Sequence, residues 1–197
     1  MMHPPFSRHF RQFPDKESLR VIIGAGEQQY EGWLATQGEE LNLLCPEHWD
    51  WMFGERGVDG LLCEHVWEHL TEEEGREAAR LCFRHLRPGG RLRCAVPDAY
   101  FPDAAYQRLV QPGGPGPAGH PAADHKLVYN FRLFRSIFED AGFHVVLLEY
   151  CDEEGQFHSR EWDEQHGRIF RSLRFDPRNQ GGQLGFVSLI LDAIKPE

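Results

Sequence analysis

The stretch from Val58 to Asp98 constrains the fold of this 197-residue chain more than any other part of the sequence. It begins with a short apolar run ending at Cys63, whose composition is typical of a buried parallel strand. Thr71 and the glutamate three residues after it have the spacing of a capping box, and apolar residues then recur at helical intervals. A Pro-Gly-Gly triplet ends the helical pattern, and Leu92–Val96 has the composition of the next strand. This order predicts a single α/β domain, with a mostly parallel sheet and helices on both of its faces.

Charge and cysteine usage restrict the partners and the compartment of the chain. Its formal net charge is −10, and phosphate contacts need clustered Lys and Arg, so we expect no unaided binding to nucleic acid or to an anionic membrane. No apolar run is long enough to span a bilayer, and the first residues lack the apolar region of a secretion signal. The cysteines form no C-x-x-C pair and are expected to be reduced thiols of a cytoplasmic protein: Cys45, Cys63, Cys82, Cys94 and Cys151.

The chain divides into a short arm and one domain. Residues 1–18 are polar and aromatic without periodicity, and we expect them to form an N-terminal arm beside a domain of residues 19–197. Residues 111–126 are rich in Pro and Gly and are expected to form a loop or a lid. Residues 151–184 are expected to be a charged insertion between the last two strands. Its arginines form either surface ion pairs or a row that binds an anionic substrate.

A glycine turn follows the first predicted strand, Leu19–Ile23. Glycines in the segment Gly24–Gly26 permit a tight turn and let a ligand approach the backbone closely. The connection from this turn to the second predicted strand, Trp33–Gln37, is too short for the usual crossover helix. A third short strand is predicted at Leu41–Leu44.

Four ionisable side chains lie between the strand that ends at Cys63 and the helix after it: Glu64, His65, Glu68 and His69. Because ligands bind at the carboxyl ends of strands in open α/β sheets, we expect this turn to face a ligand. The order H-x-x-E-H is also the signature of inverted zinc peptidases, whose histidines bind zinc from one face of a helix. Here the motif directly follows a strand, so we expect it to lie in a turn and to bind no metal. A zinc hydrolase with added ligands from His120 and His125 remains the alternative.

The sequence EHVWEHLT, which starts at Glu64, and the run L-x-PGG-x-L-x-x-x-VPD, which ends at Asp98, resemble the second half of a class I S-adenosylmethionine-dependent methyltransferase. The chain looks most like a bacterial group known mostly as predicted methyltransferases, and the resemblance extends from about Leu19 to Lys195. It implies a single-domain Rossmann-like fold whose C-terminal strand is antiparallel. It also implies S-adenosylmethionine as the cofactor and methyl transfer to a small or medium acceptor molecule.

The resemblance further implies where the cofactor would be held. The glycine turn would meet its methionine part, the end of the second strand its ribose, and the end of the third strand its adenine. The family carries an acidic residue at the ribose position, where this chain has Gln37, and Glu39 could substitute for it. The residues expected to bind the cofactor are Gly24, Ala25, Gly26, Gln37, Glu39, Leu43, Glu64 and His65.

The expected catalytic residues are His65, Glu68 and His69. Methyl transfer requires alignment of the acceptor with the methyl group and, for a hydroxyl or ammonium acceptor, a base that removes the proton; histidine suits that role near neutral pH. The polar cluster after the Pro/Gly-rich segment is expected to bind the substrate through His125, Tyr129 and Asn130, unless it only caps the next helix. A second hypothesis is a catalytically silent methyltransferase-like binding protein, because of Gln37 and the missing crossover helix.

Overall fold

The computed structural model describes residues 18–113 and 121–197. Apart from Ser18, the predicted N-terminal arm of residues 1–18 lies outside the described residues. The same holds for the middle of the predicted Pro/Gly-rich loop, residues 114–120. None of the described helices is long and apolar enough to cross a membrane.

Seven strands form one mixed sheet in the order β2-β1-β3-β4-β7-β5-β6. The strands are β1 Arg20–Ile23, β2 Leu34–Ala35, β3 Val58–Glu64, β4 Leu86–Pro97, β5 His144–Cys151, β6 Phe157–Ser159 and β7 Ser188–Ile194. Strands β2, β1, β3 and β4 are parallel neighbours, whereas β7 is antiparallel to both β4 and β5. The predicted α/β fold with an antiparallel C-terminal strand is therefore confirmed. The sequence did not predict β6, which pairs antiparallel with β5 at the sheet edge.

Four α-helices lie in the described part of the chain: α1 Pro46–Phe53, α2 Glu72–His85, α3 Ala104–Val110 and α4 Phe131–Asp140. The predicted capping box at the start of α2 is present. Oγ1 of Thr71 accepts a hydrogen bond from the Glu74 amide at 3.2 Å, and Oε2 of Glu74 accepts one from the Thr71 amide at 2.8 Å. Helix α2 leads directly into β4, so the Pro-Gly-Gly triplet lies inside the first part of that strand and not in a separate turn.

Helices α1, α2 and α4 cover one face of the sheet. Side chains of a strand alternate between its two faces, and in β3 it is Leu61 and Cys63 that point to this side. They share a core with Trp49 of α1, Cys82 of α2 and Phe138 of α4. The largest core of the described residues therefore forms between the sheet and these three helices.

The predicted third strand, Leu41–Leu44, is wrong. These residues form turns, and the side chains of Leu41 and Leu43 are buried in the core beside α1. The carbonyl of Asn42 accepts a hydrogen bond from Nε1 of Trp49, so the segment is tied to the helix and not to the sheet. A short apolar run is equally compatible with a buried strand and with a buried turn, which explains the error.

The opposite face of the sheet is covered by the insertion between β5 and β7, residues 152–187, and not by helices as predicted. Ile169 of this insertion packs on strand residues Ile22, Leu62 and Ile190. Gly167 lies so close to Leu62 that a Cβ atom on the glycine would be 2.8 Å from the leucine side chain. The insertion thus occupies the position of the crossover helix that the short connection between β1 and β2 cannot form.

A buried arginine fastens the insertion to the sheet. The Arg93 side chain, on β4, is fully buried, and its Nε and Nη2 donate to the two carboxylate oxygens of Asp192 on β7 at 2.8 and 2.9 Å. Its Nη1 donates to the backbone carbonyls of Asp163 and Gly167 at 2.7 Å each, and its guanidinium lies 4.6 Å from the ring centroid of Trp162. One side chain therefore links two strands to three residues of the insertion.

We predict that Arg93→Met lowers the free energy of unfolding by about 3–5 kcal/mol, because it leaves the Asp192 carboxylate buried without its bidentate partner. Arg91→Met is the matched control, since Arg91 donates to the same carboxylate at 2.7 Å but its side chain is 29% exposed. The control should cost about 1 kcal/mol or less. Urea denaturation followed by tryptophan fluorescence measures both values, and equal losses for the two variants would contradict this account.

Candidate active site

A cavity of about 1020 Å³ lies at the carboxyl ends of β1, β3 and β4. Its walls come from the glycine turn after β1, the turn after β3, the region of α3 and the insertion. This is the edge of the sheet at which open α/β folds bind their ligands. Several residues predicted from the sequence line it together: Gly24, Ala25, Gly26, Glu64, His65, Glu68, His69 and His125.

The glycine turn presents open backbone to this cavity. Gly24 and Gly26 have φ values of 61° and 54°, a conformation that side chains other than glycine adopt only with strain. A Cβ atom on Gly24 would lie 2.6 Å from the Val66 side chain, whereas one on Gly26 would meet nothing within 4 Å. Gly24 is therefore required for packing within the protein, and Gly26 leaves room that a ligand can use.

Gln37 holds the glycine turn in place. Its Oε1 accepts a hydrogen bond from the Gly26 amide at 3.2 Å, and its Nε2 donates to the Gly26 carbonyl at 2.8 Å. A carboxylate cannot make both bonds, because it has no donor at neutral pH. The amide at this position thus has a structural role that the sequence did not reveal. Glu39 is exposed, and neither residue lines the cavity.

Glu64 connects the end of β3 to the insertion. Its buried carboxylate accepts hydrogen bonds from the amides of Phe170 and Arg171 at 2.8 and 2.9 Å. Nε2 of Gln28 donates to the same carboxylate at 2.7 Å, and Nη1 of Arg171 lies 3.3 Å from it. Glu64 therefore fixes one wall of the cavity.

His65 has a strained backbone at the centre of the cavity wall. Its φ is 56°, and it is the only non-glycine residue with positive φ in the described ranges. Such a conformation costs about 1–3 kcal/mol and persists where surrounding contacts enforce it. Here Nε2 of the ring is 2.9 Å from Oγ of Ser188, and Nδ1 is 3.1 Å from Oε1 of Glu68.

Glu68 is a buried carboxylate to which no described residue donates a hydrogen bond. Its side chain is 1% exposed, and neither of its oxygens accepts a hydrogen bond from any described residue, since His65 is near but not aligned. Nε2 of His125 lies 4.0 Å from Oε1 of Glu68. The His69 and His125 rings meet edge to face with centroids 5.0 Å apart, and one ligand atom from each of these three residues lies within 4.8 Å of the others.

The H-x-x-E-H segment does not form the helical zinc motif. As predicted, it lies in a turn, and Trp67–His69 form a single 3-10 turn. In the peptidase motif both histidines bind zinc and the glutamate is the general base. Here the three residues with close ligand atoms are Glu68, His69 and His125, so the glutamate is included and His65 is not. His120, the other ligand suggested from the sequence, lies outside the described residues.

Three residues predicted to bind ligands are placed elsewhere. Leu43 is in the core, as described above. Tyr129 is fully buried, and its hydroxyl donates to the Trp67 carbonyl at 3.3 Å, so it has no surface for a substrate. Oδ1 of Asn130 accepts a hydrogen bond from the Leu133 amide and caps α4, which was the structural alternative for this cluster.

The insertion contributes residues to the cavity wall that were not predicted from the sequence. They face the cavity together with Gln28 and include Phe170, Phe175, Asp176, Pro177 and Phe186. No local motif marks them, because they reach the cavity only through the packing of the insertion on the sheet. Two arginines of the predicted row, Arg171 and Arg178, also line the cavity, but each is paired, with Glu64 and Asp176 respectively.

Two acidic groups near the cavity have shifted pKa values. Burial raises the pKa of Tyr30 to about 12, with a further contribution from the negative charge of Glu64. Burial also acts to raise the pKa of Asp176, but hydrogen bonds from Arg178 outweigh it and the pKa is lowered. The phenol of Tyr30 therefore stays protonated near neutral pH, where it donates to the Arg168 carbonyl at 2.9 Å.

The sheet order, the glycine turn and a cavity at the strand ends define the Rossmann-like class of α/β domains that bind a cofactor at this edge. No protein-family model matches the sequence. An uncharacterized methyltransferase of Bacillus cytotoxicus is 30% identical over 136 residues, which are 68% of this chain and 58% of that protein. This chain is therefore similar in sequence to one methyltransferase, and the solved structures below show which fold it shares.

Two solved structures share the fold. A SAM-dependent methyltransferase from Archaeoglobus fulgidus matches with a TM-score of 0.54 at 14% identity, over 95% of this chain and 90% of the other. An O-methyltransferase family protein from Burkholderia thailandensis matches with a TM-score of 0.52 at 11% identity, over 91% of this chain and 51% of the other. At these identities the likeness concerns the fold alone.

We predict that Glu64→Gln loosens the wall of the cavity, because the substitution removes charged hydrogen bonds worth about 1.5–3 kcal/mol each. Amide hydrogen exchange of Phe170 and Arg171 should become roughly tenfold faster or more. Glu164→Gln is the matched control, since Glu164 also pairs with arginines of the insertion but is exposed. Exchange that is unchanged in Glu64→Gln would show that the carboxylate does not hold this wall.

Proposed function

We propose that the chain transfers a methyl group from S-adenosylmethionine to a small or medium acceptor molecule. The observation that carries the proposal is the single cavity that runs from the open backbone at Gly26 to the polar group around Glu68. Its volume of about 1020 Å³ is at the upper end of the usual range for ligand sites, roughly 300–1,000 Å³, and suits a cofactor together with a small acceptor.

The glycine turn and the end of β3 form the proposed cofactor end of the cavity. Space beside Gly26 fits a ligand that approaches the backbone closely, as the amino-acid part of the cofactor would. Glu64 and His65 line the same cavity as the glycine turn. When bound, S-adenosylmethionine supplies an electrophilic methyl group, and the surrounding residues orient it toward the acceptor.

Glu68, His69 and His125 form the proposed acceptor end. Transfer of the methyl group is an in-line displacement, in which the acceptor atom bonds to the methyl carbon as its bond to sulfur breaks, so the main task of these residues is to hold the acceptor atom in line. For a hydroxyl or ammonium acceptor, the ring of His65 or His69 is suited to take the proton near neutral pH. The Ser188 hydroxyl, 2.9 Å from Nε2, fixes the orientation of the His65 ring.

The chain spans 58% of the length of the methyltransferase from Bacillus cytotoxicus that it matches. That this chain carries out methyl transfer, as the name of the longer protein implies, is therefore part of this proposal. We also propose the cytoplasm as its location, because all five cysteines are free thiols and four of them are buried. An acidic protein with a small-molecule cavity at its sheet edge suits neither nucleic acid nor a membrane surface as substrate.

A catalytically silent binding protein is the second candidate. One observation favours it, and it concerns the two glutamates that follow Gln37 at the end of β2. Glu40 accepts a hydrogen bond from the Gln37 amide, and Glu39 is exposed and lies outside the cavity. No described carboxylate at that position is therefore placed to hold a ribose. Binding of the cofactor without any formation of S-adenosylhomocysteine, across a panel of hydroxyl, amine and thiol acceptors, would favour this second candidate.

We predict that Gly26→Val abolishes the binding of S-adenosylmethionine measured by isothermal titration calorimetry, because the side chain fills the open space of the glycine turn. Gly32→Val is the matched control. Gly32 also has a positive φ, 77°, and open space around it, but it does not line the cavity. Both variants suffer the same backbone strain, and only the first should lose the ligand. Equal binding by the wild type and Gly26→Val would overturn the proposed position of the cofactor.

A further inference from the structure

We propose that Glu68, His69 and His125 form a binding site for one divalent first-row transition metal ion, for which zinc is the best fit. The sequence alone predicted no metal, and its zinc alternative used His65, which is not part of this group. The site does not depend on the proposed methyl transfer. It rests on the geometry of the three side chains and on the unpaired carboxylate among them.

The carboxylate of Glu68 requires a partner. A buried ionised carboxylate without hydrogen bonds is strongly unfavourable, and such groups in proteins are paired, protonated or bound to metal ions. The Glu68 side chain is 1% exposed, yet neither oxygen accepts a hydrogen bond from the described residues. Imidazole nitrogens of His65 and His125 lie 3.1 and 4.0 Å from Oε1. A cation bound among these groups would neutralise the charge.

The ring of His125 is oriented as a ligand. Its Nδ1 lies 2.8 Å from the Val110 carbonyl, which can only accept, so Nδ1 carries the proton. Nε2 is then unprotonated in the neutral ring, and it faces Oε1 of Glu68 at 4.0 Å. Metal-binding histidines commonly donate their second ring nitrogen to a backbone carbonyl or a carboxylate in this way.

His69 supplies the third ligand atom from the other side. Its ring meets the His125 ring edge to face, and its Nδ1 lies 2.9 Å from Oδ1 of Asp124 without alignment for a hydrogen bond. Ligand atoms of the three residues all lie within 4.8 Å of one another. Two ligand atoms of a tetrahedral zinc ion are roughly 3.4 Å apart, so shifts of about 1 Å complete the site.

The set of donors selects the type of metal. Two imidazoles and one carboxylate suit zinc or iron(II), whereas magnesium and calcium prefer oxygen ligands only. Three protein ligands leave at least one coordination position free. Because all three residues line the large cavity, that position faces it and can accept an oxygen or sulfur atom of a small molecule.

The site would also join two segments that are distant in sequence. Glu68 and His69 follow β3, whereas His125 lies at the end of the Pro/Gly-rich segment. The backbone already joins these segments, since the amide of Lys126 donates to the Glu68 carbonyl at 2.7 Å. A bound metal ion should therefore stabilise the folded chain, because it binds the native arrangement and not the unfolded chain.

The test uses untagged full-length protein, freed of metal by a chelator and titrated with zinc chloride. We expect about one zinc ion per chain by elemental analysis, a higher melting temperature on zinc addition, and a visible d–d absorption band when cobalt(II) replaces zinc. Loss of even an outer-shell partner costs about 10–100-fold in metal affinity, so Glu68→Gln, which has nearly the same shape, should bind zinc at least about a hundredfold more weakly. His125→Ala should behave in the same way.

His144→Ala serves as the control, because His144 is exposed at the start of β5 and does not line the cavity. It should bind zinc as the wild type does. Without metal, Glu68→Gln should be at least as stable as the wild type, since it removes an unpaired buried charge; this result also shows that the variant folds. The site would be overturned if the wild type did not bind zinc, or if Glu68→Gln and His125→Ala bound zinc as tightly as His144→Ala does. Calorimetry with S-adenosylmethionine on the same samples tests the proposed function separately.

Discussion

The ion pair between Arg93 and Asp192 is the interaction on which the rest of this structure depends. Its two charged groups are buried between the sheet and the insertion, where they are stable only as a pair with their remaining hydrogen bonds satisfied. The guanidinium nitrogen that does not bind Asp192, Nη1 of Arg93, donates to the backbone carbonyls of Asp163 and Gly167. The insertion must therefore lie against the sheet, where it covers an apolar face that none of the described α-helices covers.

The cavity follows from this placement. Once the insertion lies on the sheet, the backbone at Phe170 and Arg171 reaches the Glu64 carboxylate at the end of β3. The insertion then closes one side of the space beside the glycine turn, while the turn after β3 supplies the polar side chains on the other. A chain that lacks the usual crossover helix thus still forms a cavity at the sheet edge where open α/β folds bind their ligands.

Local patterns in the sequence were sufficient for the parts of the fold that local interactions determine. The Thr71–Glu74 capping box, the strands around α2 and the position of the Glu64–His69 turn could all be predicted, because each depends on neighbours in sequence. The segment Leu41–Leu44 was assigned wrongly because burial of its leucines does not require a strand. The burial of Tyr129 was not predicted, because a polar residue near a loop can still point into the core. The roles of Gln37 and Arg93 arise only from long-range contacts, and no spacing in the sequence indicates them.

A crystal structure of the protein with S-adenosylhomocysteine would test the central claim most directly, because it locates the cofactor in relation to both ends of the cavity. The account predicts that the amino-acid part lies against Gly24–Gly26 and that the sulfur atom faces the space toward Glu68 and His69. A ligand bound elsewhere would contradict it, for example in the separate cavity of about 720 Å³ that Trp162 and Arg174 line.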